Sequence, residues 1–300
     1  MGRRSRPQPP ALTMEVRDRV AVVTGGASGI GRALSLALAD HGAAAVVVSD
    51  TDGPGAARVA AEIAGRGKAA QAVTADVSSE PAVQALADRV EQEFGGIDMF
   101  FSNAGIIVAG GIEVPDEAWG RIWAINVQSH IYVARAVLPG MVARGGGYLM
   151  VTASAAGLLT QLGSAPYAVT KHAAVAFAEW ISITYGDQGI VVSCLCPQAV
   201  TTNLGATSMR EVAGVVAPPP ETGAVPSSAG AGSVSRQASV DGVLSPDQVA
   251  ASVLACVADG RFLILPHPEV ATYERRRAGD RDRWLNGMRR LQGRLAGRDE

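Results

Sequence analysis

Short apolar runs alternate with longer stretches of helical periodicity along most of the chain. Runs such as VVV and MFF do not alternate with polar residues, which is typical of parallel strands buried on both faces. The pattern predicts strands over 19–24, 44–50, 69–77, 97–105, 147–154, 190–197 and 261–266, and helices over 30–42, 54–67, 79–95, 164–186 and 245–260, with another within 115–138. This alternation predicts an α/β fold with one doubly wound parallel sheet and helices on both faces.

The same pattern divides the chain into four segments. Residues 1–13 are basic and contain proline, and no apolar core follows them, so we expect a disordered leader and not a secretory signal. Residues 14–266 form the predicted domain, in which 203–245 shows no clear period and is either a lid or a disordered insert. The tail 267–300 is arginine-rich, with apolar residues at helical spacing. It predicts an amphipathic helix that packs on this chain or on a neighbouring subunit, with membrane-surface binding less favoured.

Composition argues against several classes of function. The net charge of -2 gives no general attraction to nucleic acid or to an anionic membrane. No apolar run approaches the roughly 18 residues of a membrane span. The three cysteines do not suggest a disulfide framework, and we expect a cytoplasmic protein. The four histidines lack metal-ligand spacing, so we predict no metal site.

Four glycines fall within TGGASGIG, between the first predicted strand and the first helix. Gly25, Gly29 and Gly31 allow a tight turn that brings backbone N–H groups against a pyrophosphate at a helix N-terminus. Asp50 ends the next strand, 19 residues after Gly31. A carboxylate there accepts hydrogen bonds from ribose hydroxyls and repels a 2′-phosphate. The turn therefore predicts a Rossmann-type sheet that binds NAD, with NADP as the alternative.

Tyr167 and Lys171, in YAVTK, lie four residues apart and so share one face of a predicted helix. A free tyrosine titrates near pH ~10, too high for an effective base at neutral pH. A neighbouring ammonium, together with a positive nicotinamide ring, favours the phenolate. The pair is suited to general acid–base catalysis, although by itself this spacing is a weak signal.

Taken together, these motifs resemble the short-chain dehydrogenase/reductase family over about residues 17–266. The first turn has that family's T-G-x-x-x-G-x-G spacing, SNAG resembles its N-N-A-G with Ser102 replacing the first asparagine, and ASAAG resembles its S-S-x-A-G. The resemblance implies a catalytic set of Asn126, Ser154, Tyr167 and Lys171. It implies a cofactor-binding set of Gly25, Ser28, Gly29, Ile30, Gly31, Asp50, Asp76, Val77, Asn103, Ala104, Gly105, Tyr167, Lys171, Pro197, Val200 and Thr202.

The resemblance also implies a reaction, hydride transfer between NAD and an alcohol or ketone. Tyr167 exchanges the hydroxyl proton, Ser154 holds the substrate oxygen, and Lys171 lowers the pKa of Tyr167 and binds the nicotinamide ribose. Asn126 anchors a water that joins Lys171 to solvent. A homodimer or homotetramer is implied as well. The alternative from another class is a non-catalytic nucleotide-binding regulator, which would have no need of the complete catalytic set.

One position departs from the family pattern. PQAVTT has Gln198 where the family usually has glycine, so this side chain either points into the substrate pocket or is a tolerated loop substitution. The stretch 203–245 has only five charged residues and no cationic cluster that could anchor a phosphate. We therefore expect a small-molecule substrate that is an uncharged, fairly apolar secondary alcohol or ketone.

Overall fold

The computed structural model describes residues 14–212, 237 and 239–295. Within them a parallel sheet of seven strands has the order β3-β2-β1-β4-β5-β6-β7. The strands β1 to β7 are Val20–Thr24, Ala45–Asp50, Ala70–Thr74, Met99–Ser102, Gly147–Thr152, Ile190–Leu195 and Leu263–Ile264. The predicted doubly wound sheet is confirmed, although the last strand has two residues where the pattern predicted 261–266.

Helices cover both faces of the sheet. In the described residues, α1 to α11 are Gly29–Asp40, Gly53–Gly65, Glu80–Phe94, Asp116–Trp123, Ser129–Ala143, Ala155–Leu158, Ala165–Tyr185, Leu204–Glu211, Pro246–Asp259, Glu269–Gly279 and Arg281–Leu295. A 3-10 turn follows α7 at Gly186–Gln188. The single helix predicted within 115–138 is in fact α4 and α5, joined by a π-helical turn at Ala124–Gln128.

The core forms two layers because successive strand residues point to opposite faces of the sheet. In β1, Val20 and Val22 belong to the layer beneath α3, α5 and α7. Ala21 and Val23 belong to the layer beneath α1, α2 and α9. Every residue of β1 is buried, which explains the unbroken apolar run in the sequence.

Two expectations about the C-terminal part need correction. Helix α8 lies inside the stretch 203–245, where the sequence showed no period. The tail forms two helices, α10 and α11, instead of one, and both pack on their own chain through Val270, Tyr273 and Trp284. The two alternatives for the insert, a lid and a disordered segment, concern a stretch of which residues 213–236 and 238 lie outside the described residues, as do the predicted leader and residues 296–300.

Candidate active site

A cleft of about 790 Å³ lies at the carboxyl ends of the strands, around the glycine turn after β1 and the residues after β4. The strand order reverses between β1 and β4, which is where open α/β sheets bind their ligands. Every predicted site residue except Asn126 lines this cleft, although the residues are spread from 25 to 202 in the sequence.

The glycine turn joins β1 to α1 in a conformation that depends on glycine. Gly25 and Gly29 have φ angles of 66° and 52°, in the left-handed region. A Cβ on Gly31 would lie 2.1 Å from the carbonyl oxygen of Gly25. Ser28 is the N-cap residue of α1, but its side chain does not cap the helix. The turn therefore presents uncapped N–H groups to the cleft, an arrangement that fits the pyrophosphate of a dinucleotide.

Asp50, at the end of β2, presents its carboxylate to the same cleft. Its two oxygens accept hydrogen bonds from the backbone N–H groups of Ala27 and Asp52, each at 3.0 Å. Arg32 is the first cation after the glycine turn, and its guanidinium pairs with Glu62 at 2.6 Å. The cleft therefore has the Asp50 carboxylate at this end, and Arg32, the nearest cation in the sequence, is paired with Glu62.

Asp76, after β3, lies in a polar cluster that the sequence did not predict. Its Oδ1 accepts hydrogen bonds from the N–H and the hydroxyl of Ser78, and its Oδ2 lies 3.5 Å from the Arg121 guanidinium. Burial raises the pKa of Asp76, but these hydrogen bonds and the charge of Arg121 together hold it below its usual value. Arg121 also donates from Nε to Glu211 at 3.1 Å, which ties α8 to α4.

Asn103 joins three neighbouring strands beneath the cleft. Its Nδ2 donates to the carbonyl of Thr24 at 3.0 Å, and its Oδ1 accepts from the hydroxyl of Thr152 at 3.2 Å. The Thr24 hydroxyl in turn accepts from the backbone N–H groups of Asn103 and Ala104. The ends of β1, β4 and β5 are therefore held in register beside the cleft.

Ser154 and Tyr167 meet at the cleft from different elements. Ser154 follows β5 and caps α6, its Oγ accepting from the N–H of Ala156 at 3.1 Å, while Tyr167 lies in the first turn of α7. Burial raises the pKa of Tyr167, and the hydrogen bond with Ser154 opposes that rise. The pKa is thus raised overall, whereas the sequence led us to expect that Lys171 would lower it.

Lys171 is buried one helical turn beyond Tyr167. Its Nζ donates to the carbonyl of Thr152 at 2.9 Å and lies 5.6 Å from the centroid of the Tyr167 ring. Burial lowers its pKa to about 8 because the charged form loses hydration. Desolvation is therefore the largest influence on the pKa of both groups.

Asn126 lies behind the cleft wall, fully buried in the π-helical turn between α4 and α5. Its side chain accepts from the N–H of Ile106 at 2.9 Å and donates to the carbonyl of the same residue at 2.8 Å. A Cβ on Gly105 would lie 3.3 Å both from Oδ1 of Asn126 and from Nζ of Lys171. The amide therefore holds the segment after β4 and borders the same small space as the lysine.

The segment 197–202 forms the opposite wall. Ser154 donates to the Pro197 carbonyl at 3.4 Å, and Val200 forms an isolated parallel bridge with Leu244. Thr202 lies against the glycine turn, since a Cβ on Gly29 would be 3.1 Å from its Cγ2.

Several other residues at the cleft were not predicted. Gln237 accepts from the N–H of Leu162 at 2.7 Å and from Gln161 at 3.0 Å. Gln237, Gln161, Arg121 and Glu211 line the cleft. Their contacts join residues up to 90 positions apart, so no local spacing could have revealed them.

The described part of the chain also bears on metal binding and membrane insertion. Among residues 14–212 and 239–295, no three metal-ligating side chains come together. No helix in that part of the chain is long and apolar enough to cross a membrane. The three cysteines are buried as free thiols.

Comparison with known proteins identifies the family. The short chain dehydrogenase family model matches residues 19–213. The chain is 41% identical over 207 residues to a 1-deoxy-11-beta-hydroxypentalenate dehydrogenase of Streptomyces exfoliatus, covering 67% of this chain and 75% of that protein. It is 33% identical over 196 residues to 3beta-hydroxysteroid dehydrogenase 2 of Eggerthella lenta, covering 64% and 75%.

A solved structure supports the same assignment. A short-chain dehydrogenase/reductase from Burkholderia phymatum, determined in complex with NAD, aligns with a TM-score of 0.77 and 29% identity over 90% of this chain and 96% of that one. The chain therefore belongs to the short-chain dehydrogenase family. It is an oxidoreductase that acts on hydroxyl or keto groups, as its relatives do.

Proposed function

We propose that this protein is an NAD-dependent dehydrogenase that interconverts a fairly apolar secondary alcohol and its ketone. The observation that carries the proposal is the meeting of Ser154, Tyr167 and Lys171 in one cleft with the glycine turn and Asp50. Apolar side chains contribute to the lining of that cleft, among them Ile106, Ile107, Leu159, Leu204, Met209 and Val243. Relatives named for a hydroxypentalenate and a hydroxysteroid support a substrate of this kind.

In the proposed mechanism, the nicotinamide cofactor accepts or supplies the hydride when bound. Ser154 donates a hydrogen bond to the substrate oxygen. Tyr167 takes the hydroxyl proton during oxidation and returns it during reduction. Lys171 binds the nicotinamide ribose, and Asn126 anchors a water through which Lys171 exchanges protons with solvent. This assignment gives the protein the tasks of orientation and proton transfer.

Proton transfer at neutral pH requires the Tyr167 phenolate to be stabilised, since burial raises the pKa of this group. The hydrogen bond with Ser154 opposes that rise. The buried Lys171 has a pKa of about 8, and its Nζ lies 5.6 Å from the centroid of the Tyr167 ring. A bound, oxidised nicotinamide would supply further positive charge and so favour the Tyr167 phenolate.

Asp50 supports NAD in preference to NADP. Its carboxylate is fixed by two backbone N–H groups in the cleft, where a 2′-phosphate would meet like charge. We expect kcat/KM with NAD to exceed that with NADP for the same alcohol. Asp50→Ala should lower the NAD value about tenfold and raise the NADP value. Asp52→Asn, which removes a neighbouring charge, is the control and should leave the preference unchanged.

A screen of secondary alcohols tests the proposed reaction directly. Formation of reduced cofactor is followed by its absorbance, with ring alcohols of increasing size and with NAD or NADP. Turnover that is equal or better with NADP would favour the NADP-linked alternative. Binding of NAD with no turnover of any alcohol or ketone would favour the nucleotide-binding regulator.

We further propose a cytoplasmic homodimer or homotetramer. The uncovered apolar face of α7 supports association, because Val169, Trp180 and Ile183 are 47%, 55% and 83% exposed there. The three free cysteines support a reducing compartment.

A further inference from the structure

Gln198 occupies the position where a glycine is usual in this family, and its side chain has a specific partner. Its Nε2 donates to Oδ2 of Asp241 at 2.7 Å. The other oxygen of that carboxylate, Oδ1, accepts from the hydroxyl of Tyr273 at 2.9 Å. One carboxylate therefore joins the loop after β6 to helix α10. A glycine at 198 has no side chain that could make the first of these bonds.

Backbone contacts align the segment 239–245 with the same loop. The N–H of Leu244 donates to the carbonyl of Ala199 at 3.1 Å, and the carbonyl of Leu244 accepts from the N–H of Thr201 at 2.9 Å. Ser239 and Val243, on this segment, line the cleft together with Gln198 and Ala199. The segment therefore forms a wall of the cleft, and Asp241 lies within that wall.

The far end of the network is firmly anchored. Tyr273 lies on α10, whose Val270 is fully buried in the core. His267, just before α10, is 2% exposed and accepts from the backbone N–H of Gln198 at 3.2 Å. Hydrogen bonds to an ionised acceptor are among the stronger ones in proteins. The carboxylate of Asp241 thus connects the loop after β6 to a helix that packs on the core.

We propose that Gln198, Asp241 and Tyr273 are positioning residues that fix the segment 239–245 as a wall of the substrate site. This inference rests on the proposed dehydrogenase function. None of the three takes part in hydride or proton transfer. They hold the segment 239–245 in place, and the position of that segment determines how tightly an apolar ring alcohol is bound beside Ser154 and Tyr167. The network should contribute to KM for the alcohol and to the choice among alcohols of different size, and much less to kcat.

The test uses the full-length protein and the ring alcohol found best in the screen. Tyr273→Phe removes one hydroxyl at a distance from the catalytic residues. We expect KM for the alcohol to rise about five- to tenfold, with kcat and KM for NAD within about twofold of the wild type. Tyr185→Phe is the control, since Tyr185 lies outside the cleft lining at the end of α7. It should change none of these constants.

A second variant tests the connection. Gln198→Leu should raise KM for the alcohol in the same way. In the double variant with Tyr273→Phe, the loss of binding free energy should be smaller than the sum of the two single losses, because both hydrogen bonds end on one carboxylate. Unchanged KM in Tyr273→Phe, or strictly additive effects, would overturn the proposal.

Hydrogen exchange separates this proposal from the proposed function. Amides of 239–245 should exchange faster in Tyr273→Phe than in the wild type or in Tyr185→Phe. Faster exchange in a protein that turns over no alcohol would refute the dehydrogenase function and still support the network. Turnover by the wild type, with equal exchange in all three proteins, would refute the network alone.

Discussion

Tyr167 and Lys171 are both buried, and burial shifts their pKa values in opposite directions. Loss of hydration disfavours the charged form of each group, so the pKa of the phenol rises and that of the ammonium falls to about 8. Because the ordinary values, 10.0 and 10.5, already lie close together, these shifts move the two pKa values apart. Without a ligand, burial therefore favours the neutral form of both groups.

Tyr167→Phe tests the proposed proton carrier. The substitution removes the hydroxyl and keeps the ring, so kcat should fall about 1000-fold or more while NAD still binds. The turnover number kcat is measured at saturating alcohol, and NAD binding is measured by calorimetry. Tyr185→Phe should behave like the wild type. Activity of Tyr167→Phe within tenfold of the wild type would mean that another group carries the proton.

Lys171→Met tests the cost of burying the lysine. The folded pKa of about 8 lies below the ordinary value of 10.5, so between these pH values the unfolded chain holds a proton that the native chain lacks. At pH 7 the lowered pKa of Lys171 reduces the free energy of unfolding of the wild type by about 3 kcal/mol. This loss becomes smaller as the pH rises, so wild-type stability increases across that window. The stability of Lys171→Met relative to the wild type should fall by about 2 kcal/mol between pH 7 and 9.5.

Denaturant unfolding at both pH values measures this difference. Lys68→Met is the matched control, because Lys68 is exposed at the end of the turn after α2. It should show no such change with pH. Parallel stability curves for the wild type and Lys171→Met would contradict the assignment.

At the scale of elements, an ion pair between Arg121 and Glu211 joins α4 to α8. Arg121 contacts Glu211 on α8 as well as Asp76 and Ser78 after β3. The side chains of Arg121 and Glu211 are 29% and 22% exposed, so the pair is screened less than a surface pair. This contact places the first helix of the insert over the cleft.

Glu211→Gln tests that attachment. Removal of the charge should weaken the contact by about 1 kcal/mol, so amides of α8 should exchange about fivefold faster. KM for the alcohol should rise modestly because α8 lines the cleft. Glu117→Gln removes an exposed charge from the solvent face of α4 and should have neither effect. Equal exchange of α8 in both variants would show that other contacts hold the helix.

At the scale of the whole molecule, α7 serves two surfaces at once. One face carries Tyr167 and Lys171 towards the cleft, and the opposite face leaves Val169, Trp180 and Ile183 exposed. Helical spacing puts these three residues on one side of α7, with Trp180 and Ile183 about one turn apart and Val169 about three turns before Trp180. A subunit interface on these residues would lie on the same helix that carries Tyr167 and Lys171, on its opposite side.

Light scattering at micromolar concentration tests the association. The wild type should have the mass of a dimer or tetramer, and Trp180→Lys should shift the mass towards the monomer, because burial of a lysine in the interface is costly. Ile112→Lys is the control, since Ile112 is 98% exposed and lies outside α7, in the loop between β4 and α4. A monomeric wild type would refute the proposed oligomer, and an unchanged mass for Trp180→Lys would place the interface elsewhere.

The sequence by itself determined the sheet, the glycine turn and the pairing of Tyr167 with Lys171. These features depend on residues close together in the chain. Strands buried on both faces require unbroken apolar runs, a turn with positive φ requires glycine, and a helix aligns positions four apart.

Only the tertiary structure decided the partners of Arg121, Gln198 and Tyr273, the π-helical turn around Asn126 and the raised pKa of Tyr167. Gln198, Asp241 and Tyr273 come from three separate segments, and nothing in their local spacing records that they share hydrogen bonds. Burial of the phenol likewise depends on everything packed around it. Contacts and desolvation of this kind are fixed by the path of the whole chain, because they depend on distance in space and not on separation in sequence.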